Sequence, residues 1–277
     1  MTLAALAPVL AAARAAGHAV AAFNVIQIEH AEAYATAAEQ SRLPVVMQIS
    51  ENCVRYHGAL RPLAAATLAI AEACTQPVVV HLDHAEDTEL VDEAVRLGLT
   101  SVMYDGSRLP DDTNRATTRR VVALCHAAGI SVEAELGEVG GKDGVHAAGA
   151  RTDPADAARF VADTGVDALA VAVGSSHAMT ERTALLDTDL IAELRAAVPV
   201  PLVLHGSSGV PDEGLVAAVR AGMVKVNIAT HLNHVFTAAL TDRLNDSPTV
   251  DTRKYIGAAR AAVAQEAARL QRLLATR

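Results

Sequence analysis

The residues of this 277-residue chain that could do chemistry stand at the ends of short apolar runs. The clearest run is Val78-Val79-Val80-His81-Leu82-Asp83-His84, β-branched at its start and polar at three of its last four positions. Such a run reads as a buried parallel strand. Polar groups at the carboxyl end of such a strand stand where α/β folds place their ligands. Histidine is the commonest metal ligand, and an adjacent carboxylate can move protons. The plain alternative is a strand ended by two hydrogen-bonded histidines, so the other strand ends must decide.

Strands are predicted at residues 19–25, 44–49, 77–82, 101–104, 131–136, 167–173, 201–204 and 223–228, where β-branched and apolar residues cluster. Amphipathic, Ala-rich segments between them predict helices from about residue 29, at 60–73, 87–97, 111–128, 154–163 and 212–221, from about 230, and at 258–274. Asp153 is a natural N-cap with Pro154 at the first helical position. The apolar stretch 3–16, interrupted by Arg14 and stopped by Gly17, reads as an N-terminal helix. Eight strand–helix units imply an α/β fold of the (β/α)8 barrel type, with an N-terminal helix and an extra C-terminal helix, as one domain over residues 1–277. A doubly wound sheet is the alternative, weakened because no glycine-rich dinucleotide turn follows the first strand. The longest irregular stretch, 137–151, holds Gly137, Gly140, Gly141, Gly144 and Gly149 and has the character of a functional loop whose glycines could hinge a lid.

Composition narrows the classes. Hydrophobic residues make up 51% and charged residues 20%, ample for a core, and aromatics only 3%, so that core is built from Ala, Val and Leu. The net charge of −9 and the lack of a basic stripe argue against nucleic acid. No apolar run has the length of a membrane span, and the N-terminus lacks the basic start of a signal peptide. Cys53, Cys74 and Cys125 are scattered and odd in number, which fits neither a disulfide framework nor a thiolate zinc site and suits a reduced cytoplasmic setting.

The eight strand ends carry Asn24; Gln48 and Ser50; His81, Asp83 and His84; Asp105; Glu133 and Glu135; Ser175, Ser176 and His177; His205, Gly206, Ser207 and Ser208; and Asn227 and Thr230. In a barrel these converge on one rim, where active sites occur. His84, His177 and His205 come from three different strand ends and can meet around one ion; three nitrogen ligands with an open position is the geometry of catalytic zinc. His18, His30, His57, His126, His146, His231 and His234 lack that support and are read as structural. The loops His205-Gly206-Ser207-Ser208-Gly209 and Asn227-Ile228-Ala229-Thr230 follow the last two strands, where barrels commonly bind phosphate. Glycine admits a close backbone, hydroxyls donate and a helix N-terminus favours the anion. Each loop alone is also an ordinary turn with a Thr cap; beside a metal, the two suggest a small phosphorylated substrate.

These motifs, in this order, resemble the class II, zinc-dependent fructose-bisphosphate aldolases, and within them the tagatose-bisphosphate aldolase branch. The resemblance runs over nearly the whole chain. It is carried by Ala22-Phe23-Asn24, His81-Leu82-Asp83-His84, Ser131-Val132-Glu133-Ala134-Glu135-Leu136-Gly137, Gly140-Gly141, Ala172-Val173-Gly174-Ser175-Ser176-His177, Leu204-His205-Gly206-Ser207-Ser208-Gly209 and Lys225-Val226-Asn227-Ile228-Ala229-Thr230. It implies reversible aldol cleavage of a ketose 1,6-bisphosphate to dihydroxyacetone phosphate and a phosphorylated aldehyde, through a metal-stabilised ene-diolate. It implies His84, His177 and His205 as zinc ligands, with Glu135 as an alternative or second-position ligand. Asp83 would move the proton at the C4 hydroxyl. Gly206, Ser208, Asn227 and Thr230 would hold the ketone phosphate half, with a monovalent cation (Na⁺ or K⁺) nearby, and Asn227 counts with the catalytic residues too. Asn24 and Ser50 occupy substrate-contacting positions. Arg253, in Asp251-Thr252-Arg253, resembles an arginine that reaches the distal phosphate from a neighbouring subunit of a homodimer or homotetramer.

Three positions depart from the family pattern. Ala178 stands where the family usually has Gly after the strand-six histidine. Asp143, in Gly140-Gly141-Lys142-Asp143-Gly144, stands one methylene short of the usual Glu that acts as base at C3. Ala229 resembles the tagatose branch, yet His231 replaces the polar or acidic residue usual two positions later. A ketose phosphate of a different kind, a non-catalytic partner subunit and a metal-dependent hydrolase are the competing readings. Lys225, inside the eighth strand, is the one residue placed for a Schiff-base aldolase, which would leave the three histidines unexplained.

Overall fold

The strands close on themselves. In the computed structural model, which describes residues 3–136, 151–177, 179 and 181–276, they are β1 (Val20–Asn24), β2 (Val45–Ser50), β3 (Val78–Ala85), β4 (Ser101–Tyr104), β5 (Ser131–Leu136), β6 (Ala168–Val171), β7 (Leu202–Leu204) and β8 (Met223–Ile228). Each pairs in parallel with the next, and β8 returns to β1 through Val20↔Lys225 and Ala22↔Asn227. The result is the (β/α)8 barrel that the strand–helix alternation predicts.

The helices in chain order are α1 (Leu6–Ala16), α2 (Ile28–Ser41), α3 (Glu51–His57), α4 (Arg61–Ala73), α5 (Thr88–Leu97), α6 (Asp111–Ala127), α7 (Pro154–Thr164), α8 (Thr188–Ala197), α9 (Asp212–Ala221), α10 (Thr230–Asp246) and α11 (Thr252–Leu274). Their ends follow capping chemistry. The Asp153 carboxylate accepts the Asp156 N–H at the start of α7, and Gly17, with φ 74°, closes α1 in the left-handed conformation. Two helices lie where the sequence predicts none. The Ser50 hydroxyl caps α3 by accepting the Cys53 N–H, and the Asp187 carboxylate caps α8 by accepting the Leu190 N–H. The last helix begins at Thr252, capped by Asp251, rather than at 258.

Two apolar clusters divide the work. The larger packs the outer strand faces, among them Phe23, Met47, Leu82 and Val171, against the helix layer. Alanines let that layer approach closely: α2 buries Ala31, Ala33, Ala37 and Ala38, and α11, which packs on it, buries Ala259, Ala264, Ala267 and Ala268. The smaller cluster fills the amino-terminal half of the barrel interior. There Val20, Val46, Val79, Ala168, Val203 and Val224 meet Leu6, Leu10 and Ala13 of α1. α1 plugs the bottom, so the polar residues inside the barrel gather towards the opposite rim. No helix among the described residues is long and apolar enough to cross a membrane.

His30 of α2 illustrates how tightly the layer closes. It is 4% exposed, stacks on Phe236 of α10 with centroids 5.1 Å apart, and neither ring nitrogen has a hydrogen-bond partner. Burial holds its pKa down at about 4. A base whose folded pKa is lowered costs nothing above its unfolded value and destabilises as pH falls from that value to the folded one. Between pH 6.5 and about 4, unfolding free energy is therefore expected to fall by about 3 kcal/mol on account of this group. His30→Phe should flatten that limb in urea titrations at a series of pH values; an unchanged limb would contradict it.

Candidate active site at the carboxyl-terminal rim

The strand ends put His84 (β3), Glu135 (β5), His177 (after β6) and His205 (after β7) together, with one ligand atom from each lying within 4.8 Å of all the others. The three imidazoles meet edge to face, centroids 4.7–5.8 Å apart. Two carboxylates set the orientation of two of them. Asp105, one residue beyond β4, lies 2.7 Å from His84 Nδ1, and Glu133 of β5 lies 2.8 Å from His205 Nε2. A carboxylate accepts and cannot donate, so each of those nitrogens carries the hydrogen. The opposite nitrogens, His84 Nε2 and His205 Nδ1, then face each other at 3.0 Å with their lone pairs. Burial, with His84 and Lys225 nearby, pushes the His205 pKa well below the ordinary histidine range, so a proton is a poor occupant of that gap. Glu135 Oε2 lies 3.6 Å from His205 Nδ1. Three imidazole nitrogens and a carboxylate, two of the imidazoles oriented by hydrogen-bonded carboxylates, form a donor set that fits a divalent metal ion.

Asp83 stands beside this cluster, 2% exposed. Its Oδ2 accepts from Asn24 Nδ2 at 3.1 Å and Gln48 Nε2 at 3.3 Å, and Gln48 also donates to Asn24 Oδ1 at 2.8 Å. Its Oδ1 is buried with no hydrogen-bond partner among the described residues. Asp83, His84, His177, Asn24, Gln48 and Ser50 line one cavity of about 170 Å³ with Gly206, Ser208, Asn227, Ala229 and Thr230. Asn52, on the first turn of α3, lines it too; the sequence offers no signal for it because α3 itself is not legible there. No Lys or Arg is among the described residues that line the cavity.

On the β7–β8 side the cavity has groups that suit an anion. The Ser208 hydroxyl accepts the N–H groups of Ala229 and His231, each at 3.2 Å, at the entry to α10. Its own hydrogen is left to donate. The α10 N-terminus adds the positive end of a 17-residue helix. Gly206 has φ 66°, and a Cβ there would lie 2.6 Å from the Ser176 carbonyl carbon, so glycine lets the β7 loop pass directly under the segment that carries His177. The β3 end is braced from α3. Glu51 accepts the N–H groups of Glu86 at 2.7 Å and Asp87 at 3.2 Å, fixing the chain beyond His84, whose φ of 48° is unusual for a residue with a side chain.

Asp143, Ala178 and the loop glycines fall outside the described residues. His231 does not line the cavity; it turns to Glu266 of α11 at 2.7 Å, in a chain of ion pairs through Arg269 and Asp212 to Arg182. Burial would raise the Glu266 pKa, but bonds from Arg269 and His231 hold it at about 2. Arg253 is on the outside, its side chain 89% exposed and 3.0 Å from Asp251. Lys225 is fully buried and bonded to Glu133 at 2.8 Å, beneath the cavity rather than in it. Gly206→Ala is expected to destabilise the fold by about 1–3 kcal/mol through left-handed strain alone, and more through the clash. Thermal unfolding together with elemental analysis of bound metal would check it, and a variant that melts and loads metal like the parent would contradict it.

The chain was compared with known proteins. The family described as fructose-bisphosphate aldolase class-II matches residues 4–277. The fructose-bisphosphate aldolase of Thermus caldophilus is 38% identical over 283 aligned residues, covering 92% of each chain. A probable fructose-bisphosphate aldolase of Bacillus subtilis (strain 168) is 38% identical, covering 95% of this chain and 94% of that one. Among solved structures, the YdjI aldolase from Escherichia coli K12 superposes with a TM-score of 0.87 at 31% identity, covering 98% of this chain and 97% of that one. The barrel, the rim cluster of histidines and these likenesses agree: the chain belongs to the class II fructose-bisphosphate aldolase family.

Proposed function

We propose that the protein is a zinc-dependent aldolase that reversibly cleaves a ketose 1,6-bisphosphate of the fructose or tagatose type, giving dihydroxyacetone phosphate and a phosphorylated aldehyde. The observation that carries this reading is the pair of carboxylate-oriented imidazole nitrogens facing each other at 3.0 Å, beside a buried carboxylate oxygen with no partner among the described residues. His84, His177 and His205 would hold the zinc, with Glu135 as an exchangeable fourth donor. Bound there, zinc supplies a Lewis acid beside the ketone, worth several kcal/mol to the anion that cleavage leaves.

The chain's own residues do the rest. Asn24 and Gln48 hold Asp83 by Oδ2, which leaves Oδ1 to take the C4 hydroxyl proton as the C3–C4 bond breaks. The electron pair remains on C3, conjugated with the ketone, and Asp143 is proposed to exchange the proton at that carbon. Ser208, Gly206, Asn227 and Thr230 bind the ketone-side phosphate with hydroxyl and backbone donors at the α10 N-terminus, with a monovalent cation alongside. Because no cationic side chain lines the cavity among the described residues, the distal phosphate is left to Arg253 of a second copy in a homo-oligomer. The engaged state of Lys225 disfavours a Schiff base, since its nitrogen is buried against Glu133. A cytoplasmic location is part of the same reading.

Two variants test the assignment in a coupled triose-phosphate assay. Asp83→Asn is expected to lower kcat by about 10²–10⁴-fold with KM within a few-fold of the parent. Ser208→Ala is expected to raise KM while kcat is held, the mark of uniform phosphate binding. An Asp83→Asn enzyme that keeps more than about a tenth of the parent kcat would overturn the proton-transfer role.

A further inference from the structure

We propose that the buried Glu133–Lys225 ion pair is a positioning device: it selects the tautomer of His205 and locks the ring with Nδ1 turned to the metal. This rests on the metal site proposed above and adds two residues to it. Glu133 and Lys225 both have side chains fully shielded from solvent. Lys225 Nζ donates to Glu133 Oε2 at 2.8 Å, while Oε1 is 2.8 Å from His205 Nε2. The two oxygens thus have separate tasks, one taking the ammonium and the other the imidazole N–H. His81 does not compete for them, because its Nε2 lies 4.0 Å from Oε2 and its Nδ1 is 2.8 Å from the Ser101 hydroxyl.

The alternative tautomer of His205 would set a bare Nε2 against the carboxylate and turn an N–H towards His84 Nε2, 3.0 Å away, where a metal's ligand should offer a lone pair. With Glu133 in place only the Nδ1-ligating form is favourable. A second contact fixes the ring's base: the Ser175 hydroxyl donates to the His205 carbonyl at 2.6 Å. His84, oriented by Asp105 at the rim, has a side chain 19% exposed, whereas His205 is fully buried. His205 is therefore the rigid anchor of the cluster and the ligand whose orientation the interior sets. A buried ion pair is weak evidence for stability, since apolar residues of similar size often replace one without loss. Its position directly beneath a ligand gives it a different purpose.

The test uses zinc alone as probe and needs no turnover. Nitrogen-15 histidine NMR of the metal-free protein should show His205, identified by its loss in His205→Gln, protonated at Nε2; protonation at Nδ1 would overturn the proposal without any variant. The full chain with Glu133→Leu/Lys225→Met removes both charges and the acceptor. Competition with a chromophoric chelator should then show zinc affinity about 10–100-fold weaker than the parent. Glu133→Gln/Lys225→Met keeps an acceptor for Nε2–H and should recover most of that loss. Equal zinc affinities in the parent and both double variants would overturn the proposal, as a merely structural pair would leave binding unmoved. If the first double variant does not fold, the tautomer in Glu133→Gln/Lys225→Met decides: Nε2–H retained supports the proposal, and an Nδ1–H form with parental zinc affinity overturns it. A parent protein that shows the Nε2–H tautomer yet binds no zinc would defeat the metal reading instead.

Discussion

Two imidazole nitrogens facing each other at 3.0 Å, each left with a lone pair because a carboxylate on the far side of its ring holds the ring's hydrogen there, are the constraint on which the rest depends. Lone pairs so placed repel unless a cation lies between them. The barrel makes the arrangement affordable by segregating its interior. Valines and alanines fill the lower half, closed from below by α1, and the polar layer sits above, where Lys225, Glu133, His205 and His84 connect the interior to the rim. Because that layer is continuous, the orientation of His205 traces back to contacts that no solvent reaches.

The same rim solves a second electrostatic problem. Under the proposed function a chain of net charge −9 would have to hold a doubly charged phosphate, and among the described residues its cavity offers no Lys or Arg. The α10 N-terminus, the Ser208 hydroxyl and the close approach permitted at Gly206 are the groups that would take that role. These groups are oriented by backbone geometry before any ligand arrives. Little ordering is then required on binding.

Much of this was legible in the sequence, and what was not has a physical reason. Strand ends could be read because apolar β-branched runs stop at polar residues, and β5 and β8 have the predicted bounds. His84, His177 and His205 could be grouped because they follow different strands. α3 was hidden because Ser50 is at once a strand end and a helix cap, and α3 is only seven residues long. β3 runs to Ala85 with a register shift against β4 and a left-handed His84, neither of which leaves a mark in local composition. Asp105 and Glu133 were visible as acids at strand ends, but their tasks depend on register across the barrel. His231, which departs from the family pattern two positions after Ala229, points at Glu266, 35 residues on in the chain.

The most direct measurement is triose-phosphate release by the whole protein from fructose 1,6-bisphosphate and tagatose 1,6-bisphosphate, before and after a chelator and again after zinc is restored. Expected is cleavage of at least one of the two, abolished by the chelator and recovered with zinc. Cleavage that survives complete removal of metal, or none of either sugar by protein shown to carry zinc, would contradict the reading of the rim as a metal-dependent ketose-bisphosphate aldolase site.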